Sequence, residues 1–155
     1  AIAGGTVALR PGVLALIDEA LDQGLQLAIA TTTSPVNISA LLRQAMGPAW
    51  RHNFSAIGDA SSAPLKKPHP QVYLQMLEAL KLDASDCLAF EDSGNGLKAA
   101  TLAGLATVIT PTKYTQHHDF SRALHVLPDL GGIRLSDVAM CHAAHWSGER
   151  LLTVE

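Results

Sequence analysis

The chain has 155 residues, 48% hydrophobic and 16% charged, with a net charge of -3; this suits one globular domain with a core and argues against a disordered chain. Its 11 basic residues form no stripe, and Lys66-Lys67 is the tightest cluster, so nothing points to nucleic acid. No apolar run is long enough to span a bilayer, no signal-peptide pattern is present, and Cys87 and Cys141 are too few for a disulfide framework, which favours a reducing cytoplasmic setting.

The first predicted element is a helix carrying Val13, Leu14, Leu16, Ile17, Ala20 and Leu21 at helical spacing, with Pro11 near its first turn and Gly24 at its stop. Residues 25–30 are short and mostly apolar and read as a buried strand. Thr31-Thr32-Thr33-Ser34 follows as a hydroxyl-rich turn, and Pro35 introduces a helix over about 36–46. Residues 47–64 are rich in turn formers, with a short strand expected near Ala56-Ile57. A proline-stiffened loop, Ala63 to Pro70, leads to a helix over about 71–81 that carries Val72, Leu74, Met76, Leu77 and Leu80. A buried strand is expected over 87–90, Cys87 included, then Glu91-Asp92-Ser93, then a helix over about 95–103 that Gly104 can end. Residues 106–109 read as another strand closed by Pro111, and His125-Val126-Leu127 as a last short one. Beyond it the pattern weakens: Cys141-His142 and His145 read as a surface tail, and His117-His118 as an exposed loop.

Strand and helix alternate, which predicts an α/β domain with a mostly parallel sheet and right-handed crossovers. Ligands in such sheets sit beyond the carboxyl ends of the strands. The polar residues of interest fall there. Two adjacent carboxylates at the end of a buried strand are costly unless something neutralises them. Mg²⁺ would do so, held by one or two carboxylates, waters and a substrate phosphate. Glu91-Asp92-Ser93 also reads as a helix cap with acidic groups at the positive end of the helix dipole. Thr31 and the backbone of its turn can donate to phosphate oxygens, and Lys67 can stabilise a phosphoryl group or pair with a carboxylate.

Taken in order, Ile29-Ala-Thr-Thr-Thr-Ser-Pro35, Lys67-Pro-His-Pro70 and Phe90-Glu-Asp-Ser-Gly-Asn-Gly-Leu-Lys-Ala-Ala100 resemble three motifs of the haloacid dehalogenase-like superfamily. The nearest likeness is to its CbbY-like sugar-phosphate phosphatase and phosphomutase branch, and it covers roughly residues 7–127. The resemblance implies a three-layer Rossmann-like core and a Mg²⁺-dependent phosphatase acting on a small phosphorylated metabolite, a sugar phosphate above all. By that likeness Thr31 and the Thr32 backbone bind the phosphoryl group, and Lys67 neutralises the charge that develops on it. Glu91 and Asp92 hold Mg²⁺, and Ser93 stands behind them. A sugar phosphomutase is the alternative within the family, since substrate and water access belong to a cap domain.

The family's reaction begins on an N-terminal Asp-x-Asp motif, whose first aspartate forms an aspartyl-phosphate. No two aspartates of this sequence are two residues apart, and the chain opens on Ala1 without a methionine. Residues 1–155 are therefore expected to be the C-terminal part of one such core domain, with the nucleophile and cap upstream. The family's first strand is central, between the strands that end at Thr31 and Glu91. Without it both strands lose a neighbour, so self-association or a preceding segment is expected to complete the sheet. The 155-residue chain by itself is expected to have no turnover, as a non-catalytic fragment. A dinucleotide-binding module is the rival from another class, because Gly94-Asn-Gly96-Leu-Lys-Ala99 fits G-x-G-x-x-A. The adjacent carboxylates and the absence of a ribose-binding acid after residues 106–109 oppose it.

Overall fold

Helices and short parallel strands alternate through residues 10–146, the part described by the structure, a computed structural model. In chain order these are α1 (Val13–Asp22), β1 (Ala28–Ala30), α2 (Pro35–Met46), β2 (Ala56–Gly58), α3 (Gln71–Leu80), β3 (Leu88–Glu91), α4 (Gly94–Leu102), β4 (Ala106–Ile109), β5 (His125–Val126) and α5 (Leu135–Trp146). Local chemistry sets several of these ends. Ser34 caps α2 by accepting the Asn37 N–H, with Pro35 in the first turn, where its missing donor costs nothing. Past the end of α4, Gly104 adopts φ 86° and returns its N–H to Thr101 O at 2.9 Å.

All strand pairs are parallel. β1 pairs with β2 from Ala28–Ala56 to Ala30–Gly58, and β3 pairs with β4 from Leu88–Ala106 to Glu91–Ile109. β5 joins the far side of β4. Among the described residues no ladder joins β1 to β3, so the sheet comes in two pieces. The break lies between the strands that end at Thr31 and Glu91, where the resemblance places a central strand.

The helical layer is continuous where the sheet is not. α3 lies on β1 and β2, α4 on β3 and β4, and the two helices touch. Val72 and Tyr73 of α3 share one core cluster with Ala89 of β3, Ala99 and Ala100 of α4, and Leu105. Ala30 packs against this cluster, whereas Ile29 and Ile57 pack on the opposite side with Ile38, Leu42 and Trp50. That alternation is the two-residue period of a strand covered on both faces. Small alanines at the α3–α4 side let the helices approach the sheet closely, and each buried methylene there contributes about 0.8 kcal/mol.

The expected strand over 25–30 forms only at Ala28–Ala30, and Cys87 lies half-buried just before β3, where burial pushes its thiol pKa up. Phe90 is 38% exposed, so β3 is not buried on both faces among the described residues. On α3 the buried positions are Val72, Tyr73 and Met76, while Leu74 is half exposed. Leu74 lies off the stripe that faces the sheet, and Tyr73 lies on it. The largest departure is α5, a helix where a surface tail was expected. His142 on it contacts the Cys87 carbonyl at 3.0 Å, and Glu19 of α1 accepts the Leu135 N–H at 2.6 Å and the Arg134 guanidinium at 3.1 Å. A helix held by polar contacts to distant segments leaves little apolar period to read. The His145 side chain lies outside the described residues.

Two polar anchors brace the strand ends. Arg10 donates to the Thr110 carbonyl, and to Thr110 Oγ1 at 3.0 Å, Pro111 O at 2.9 Å and Pro128 O at 3.1 Å, which ties the chain before α1 to the end of β4. At the end of β2 the Asp59 carboxylate accepts Ser61 Oγ at 2.7 Å, Ser61 N at 2.9 Å and Ser62 N at 3.2 Å. The Ser61 hydroxyl above all, with the two backbone donors and the charge of Arg51, holds the Asp59 pKa below the usual carboxylate value against the opposing effect of burial. A lowered folded-state pKa stabilises above the unfolded value and is lost as pH falls through the folded one. Asp59→Asn in the full-length protein is therefore expected to lower stability by about 1 kcal/mol at pH 6 and progressively less below about pH 4. Urea unfolding of both proteins across pH 3–6 reads this; a gap constant with pH would remove the carboxylate charge as its cause.

Candidate active site

The carboxyl ends of β1 and β3 lie on either side of the break, and Lys67 bridges them. Its amine donates to Ala30 O at 2.9 Å, at the end of β1, and to Glu91 Oε2, at the end of β3. The Lys67 and Glu91 side chains are 12% and 8% exposed, so this is a mostly desolvated ion pair. Such a pair is held in place because breaking it strands a charge, at a cost of about 3–5 kcal/mol. An ammonium has three donors, and these two contacts leave one for another acceptor.

Tyr73, on the first turn of α3, was not among the residues singled out by sequence. Its hydroxyl donates to the same Glu91 Oε2, and its ring lies 5.1 Å from the Lys67 amine. Burial first, then the charge and hydrogen bond of Glu91 and the charge of Asp92, push the phenol pKa well above its usual value, so it stays a donor. A buried tyrosine hydroxyl usually finds a partner, and an aromatic with a polar tip six residues after a loop lysine was the available signal. The other carboxylate oxygen, Oε1, fills the space over Gly96, where a Cβ would lie 2.0 Å from it. A side chain at position 96 would displace the Glu91 carboxylate from this place.

Asp92 follows Glu91 in the turn into α4, and this turn is clamped from the loop after β4. Thr115 Oγ1 donates to Asp92 O at 2.6 Å and accepts the Thr112 N–H at 2.9 Å. His118 Nδ1 accepts the Gly94 N–H at 3.0 Å, which fixes one N–H at the helix start. His118, expected as exposed loop, is half-buried for that reason, while His117 is exposed. Ser93 is the cap of α4, accepting the Gly96 N–H at 3.0 Å. The cap reading of the tripeptide therefore holds for Ser93, while Glu91 turns away to Lys67. With Gly94, Gly96 and Leu97 N–H groups all bonded within the protein, the helix start offers little to a dinucleotide pyrophosphate.

On the β1 side, Thr31 Oγ1 accepts the Thr33 N–H at 3.0 Å, and the Thr31 N–H reaches Gly58 O at 3.0 Å. The hydroxyl oxygen is tied into its turn, and its proton can be donated outward. Thr31 and Thr32 are half-buried, as a residue lining a cleft would be. Lys66 is exposed. Glu91 and Asp92 are adjacent carboxylates at a strand end, donors of the kind a hard cation takes, with Glu91 Oε2 already engaged by Lys67 and Tyr73. Among the described residues no group of three or more His, Cys, Asp and Glu gathers. A Mg²⁺ ion held here would take one or two protein carboxylates from this chain, its ordinary pattern with phosphate and water.

A family model for haloacid dehalogenase-like hydrolases matches residues 1–104. The chain belongs to this family. Within it, the CbbY protein (plasmid) of Cupriavidus necator is 55% identical over 130 residues, 84% of this chain and 51% of that protein. The crystal structure of CbbY from Rhodobacter sphaeroides in complex with phosphate superposes with TM-score 0.81 at 39% identity, covering 85% of this chain and 59% of that one. A mutant of the same Rhodobacter protein, in complex with xylulose-1,5-bisphosphate, superposes with TM-score 0.81 at 40% identity, covering 86% and 59%. The likeness to the CbbY-like branch is thus borne out, as is the Rossmann-like α/β fold. The chain spans between half and three-fifths of the length of these CbbY proteins.

Proposed function

We propose that this chain supplies the phosphate- and Mg²⁺-handling part of a phosphoric monoester hydrolase acting on a small phosphorylated sugar. The observation that carries the reading is Lys67, held between the ends of β1 and β3 by Ala30 O and Glu91 beside the Thr31 turn. Lys67 and Glu91 meet at the break in the sheet, with the Thr31 turn next to Ala30 and Asp92 next to Glu91 in the chain. The likeness to CbbY proteins, one of them complexed with xylulose-1,5-bisphosphate, supports the substrate class.

In this reading Thr31 Oγ1 and the Thr32 N–H donate to phosphoryl oxygens, and the third donor of Lys67 meets another as negative charge builds. Glu91 and Asp92 would hold Mg²⁺, which supplies charge neutralisation at the phosphoryl group. Ser93 fixes the turn that carries them. The nucleophile is an aspartate upstream of residue 1, on the strand that fills the break. Its carboxylate attacks phosphorus and the P–O bond to the sugar breaks; the sugar oxygen takes a proton from the second aspartate of that motif, which then takes one from the water that attacks phosphorus, releasing phosphate and the first aspartate. Full-length protein is expected to release phosphate from xylulose-1,5-bisphosphate or another sugar phosphate only with Mg²⁺, while the 155-residue chain releases none from p-nitrophenyl phosphate. A full-length protein inert toward all phosphorylated sugars would refute the hydrolase reading. Turnover by the 155-residue chain would refute the upstream nucleophile.

A further inference from the structure

Glu91 Oε2 accepts from two donors at once, the Lys67 amine and the Tyr73 hydroxyl. The two donors also touch each other, the amine lying 5.1 Å from the ring of Tyr73. From this closed triangle we infer that Tyr73 is a positioning residue, which holds Lys67 at the phosphate site by acting through Glu91. The inference rests on the proposed function for its consequence in turnover, but not for its geometry.

Lysine ends a flexible four-carbon stem, so an amine that must meet a phosphoryl oxygen needs an outside constraint. Ala30 O is one constraint. Glu91 is the second, and a glutamate side chain needs fixing itself. Tyr73 fixes it on one oxygen, and the missing side chain of Gly96 leaves room for the other. Tyr73 is 7% exposed and sits in the α3–α4 core with Val72, Ala89 and Ala100, so its hydroxyl has a rigid base. The hydroxyl thus transmits the rigidity of the helical layer across the break in the sheet to the lysine.

Tyr73→Phe keeps the ring, its packing and its contact with the amine, and removes only the hydroxyl. Two readouts on the full-length protein decide the matter. The order parameter of the Lys67 ε-methylene, by NMR relaxation without metal or substrate, is expected to fall from the range of rigid core to that of a mobile side chain. At saturating Mg²⁺ and substrate, kcat is expected to fall about tenfold with KM within about twofold. In a Glu91→Ala background, which removes the acceptor, the same substitution should add almost nothing to the loss of Lys67 order measured without metal. An unchanged Lys67 order parameter overturns the proposal whether or not the protein turns over sugar phosphates. Full additivity of the two substitutions on Lys67 order overturns it too, since Tyr73 would then act by another route. Loss of lysine order in a protein without phosphatase activity would support the positioning role and refute the functional reading alone.

Discussion

Lys67→Ala in the full-length protein is expected to lower kcat by about 100- to 1,000-fold, the cost of removing one preorganised donor from a developing negative charge. The substitution removes more than a charge. Lys67 joins the ends of two strands that no ladder connects among the described residues, through Ala30 O and Glu91. Without it the carboxylate of Glu91, 8% exposed, keeps the Tyr73 hydroxyl but loses its counter-charge. Stability should therefore fall by about 3 kcal/mol, within the range for breaking a buried pair. Lys67→Arg should restore little, because a planar fork cannot occupy the point where one amine meets a carbonyl, a carboxylate and a phosphoryl oxygen. Steady-state kinetics and urea unfolding on the same preparations separate the two effects. A Lys67→Ala enzyme with unaltered kcat would remove the lysine from the site.

The proposed site could be located in the sequence because the motifs of the resemblance are short segments at or near strand ends. Thr31, Lys67, Glu91 and Asp92 are far apart in the chain, yet each sits at the edge of an element that hydrophobic pattern and turn residues delimit. Parallel topology then brings those edges together. Positions 106–109 were read to the residue because β4 is buried on both faces. Partner choice was less legible. Glu91 and Asp92 look equivalent as neighbours in sequence, but β3 ends at Glu91 and Asp92 already lies in the turn into α4. Glu91 meets Lys67 and Tyr73, and the backbone of Asp92 is clamped by Thr115. Tyr73 was missed because an aromatic in an amphipathic helix reads as packing until its polar tip is located. Thr115 and His118 were missed because their partners are backbone atoms of the turn into α4, which no side-chain pattern encodes. α5 was missed because it is held by Glu19 and by the Cys87 carbonyl more than by an apolar stripe.

Asp92→Asn bears on the central claim that these residues serve a Mg²⁺-dependent phosphoryl site. The backbone at Asp92 is held by Thr115, and the helix start by His118 and Ser93, none of which depends on the aspartate's charge. Asparagine has nearly the same shape, so the substitution acts chiefly through the lost charge. Mg²⁺ dehydrates reluctantly and is held through few protein carboxylates, so losing one leaves the ion weakly bound. Changing a residue that merely supports a metal ligand costs 10- to 100-fold in affinity or activity, so losing a ligand itself should exceed about 100-fold. The measurement is phosphate release against Mg²⁺ concentration, at saturating sugar phosphate, for the full-length protein and Asp92→Asn, with thermal unfolding confirming that both are folded. The half-activating Mg²⁺ concentration is expected to rise more than about 100-fold, or turnover to vanish. Superimposable Mg²⁺ curves would contradict the assignment.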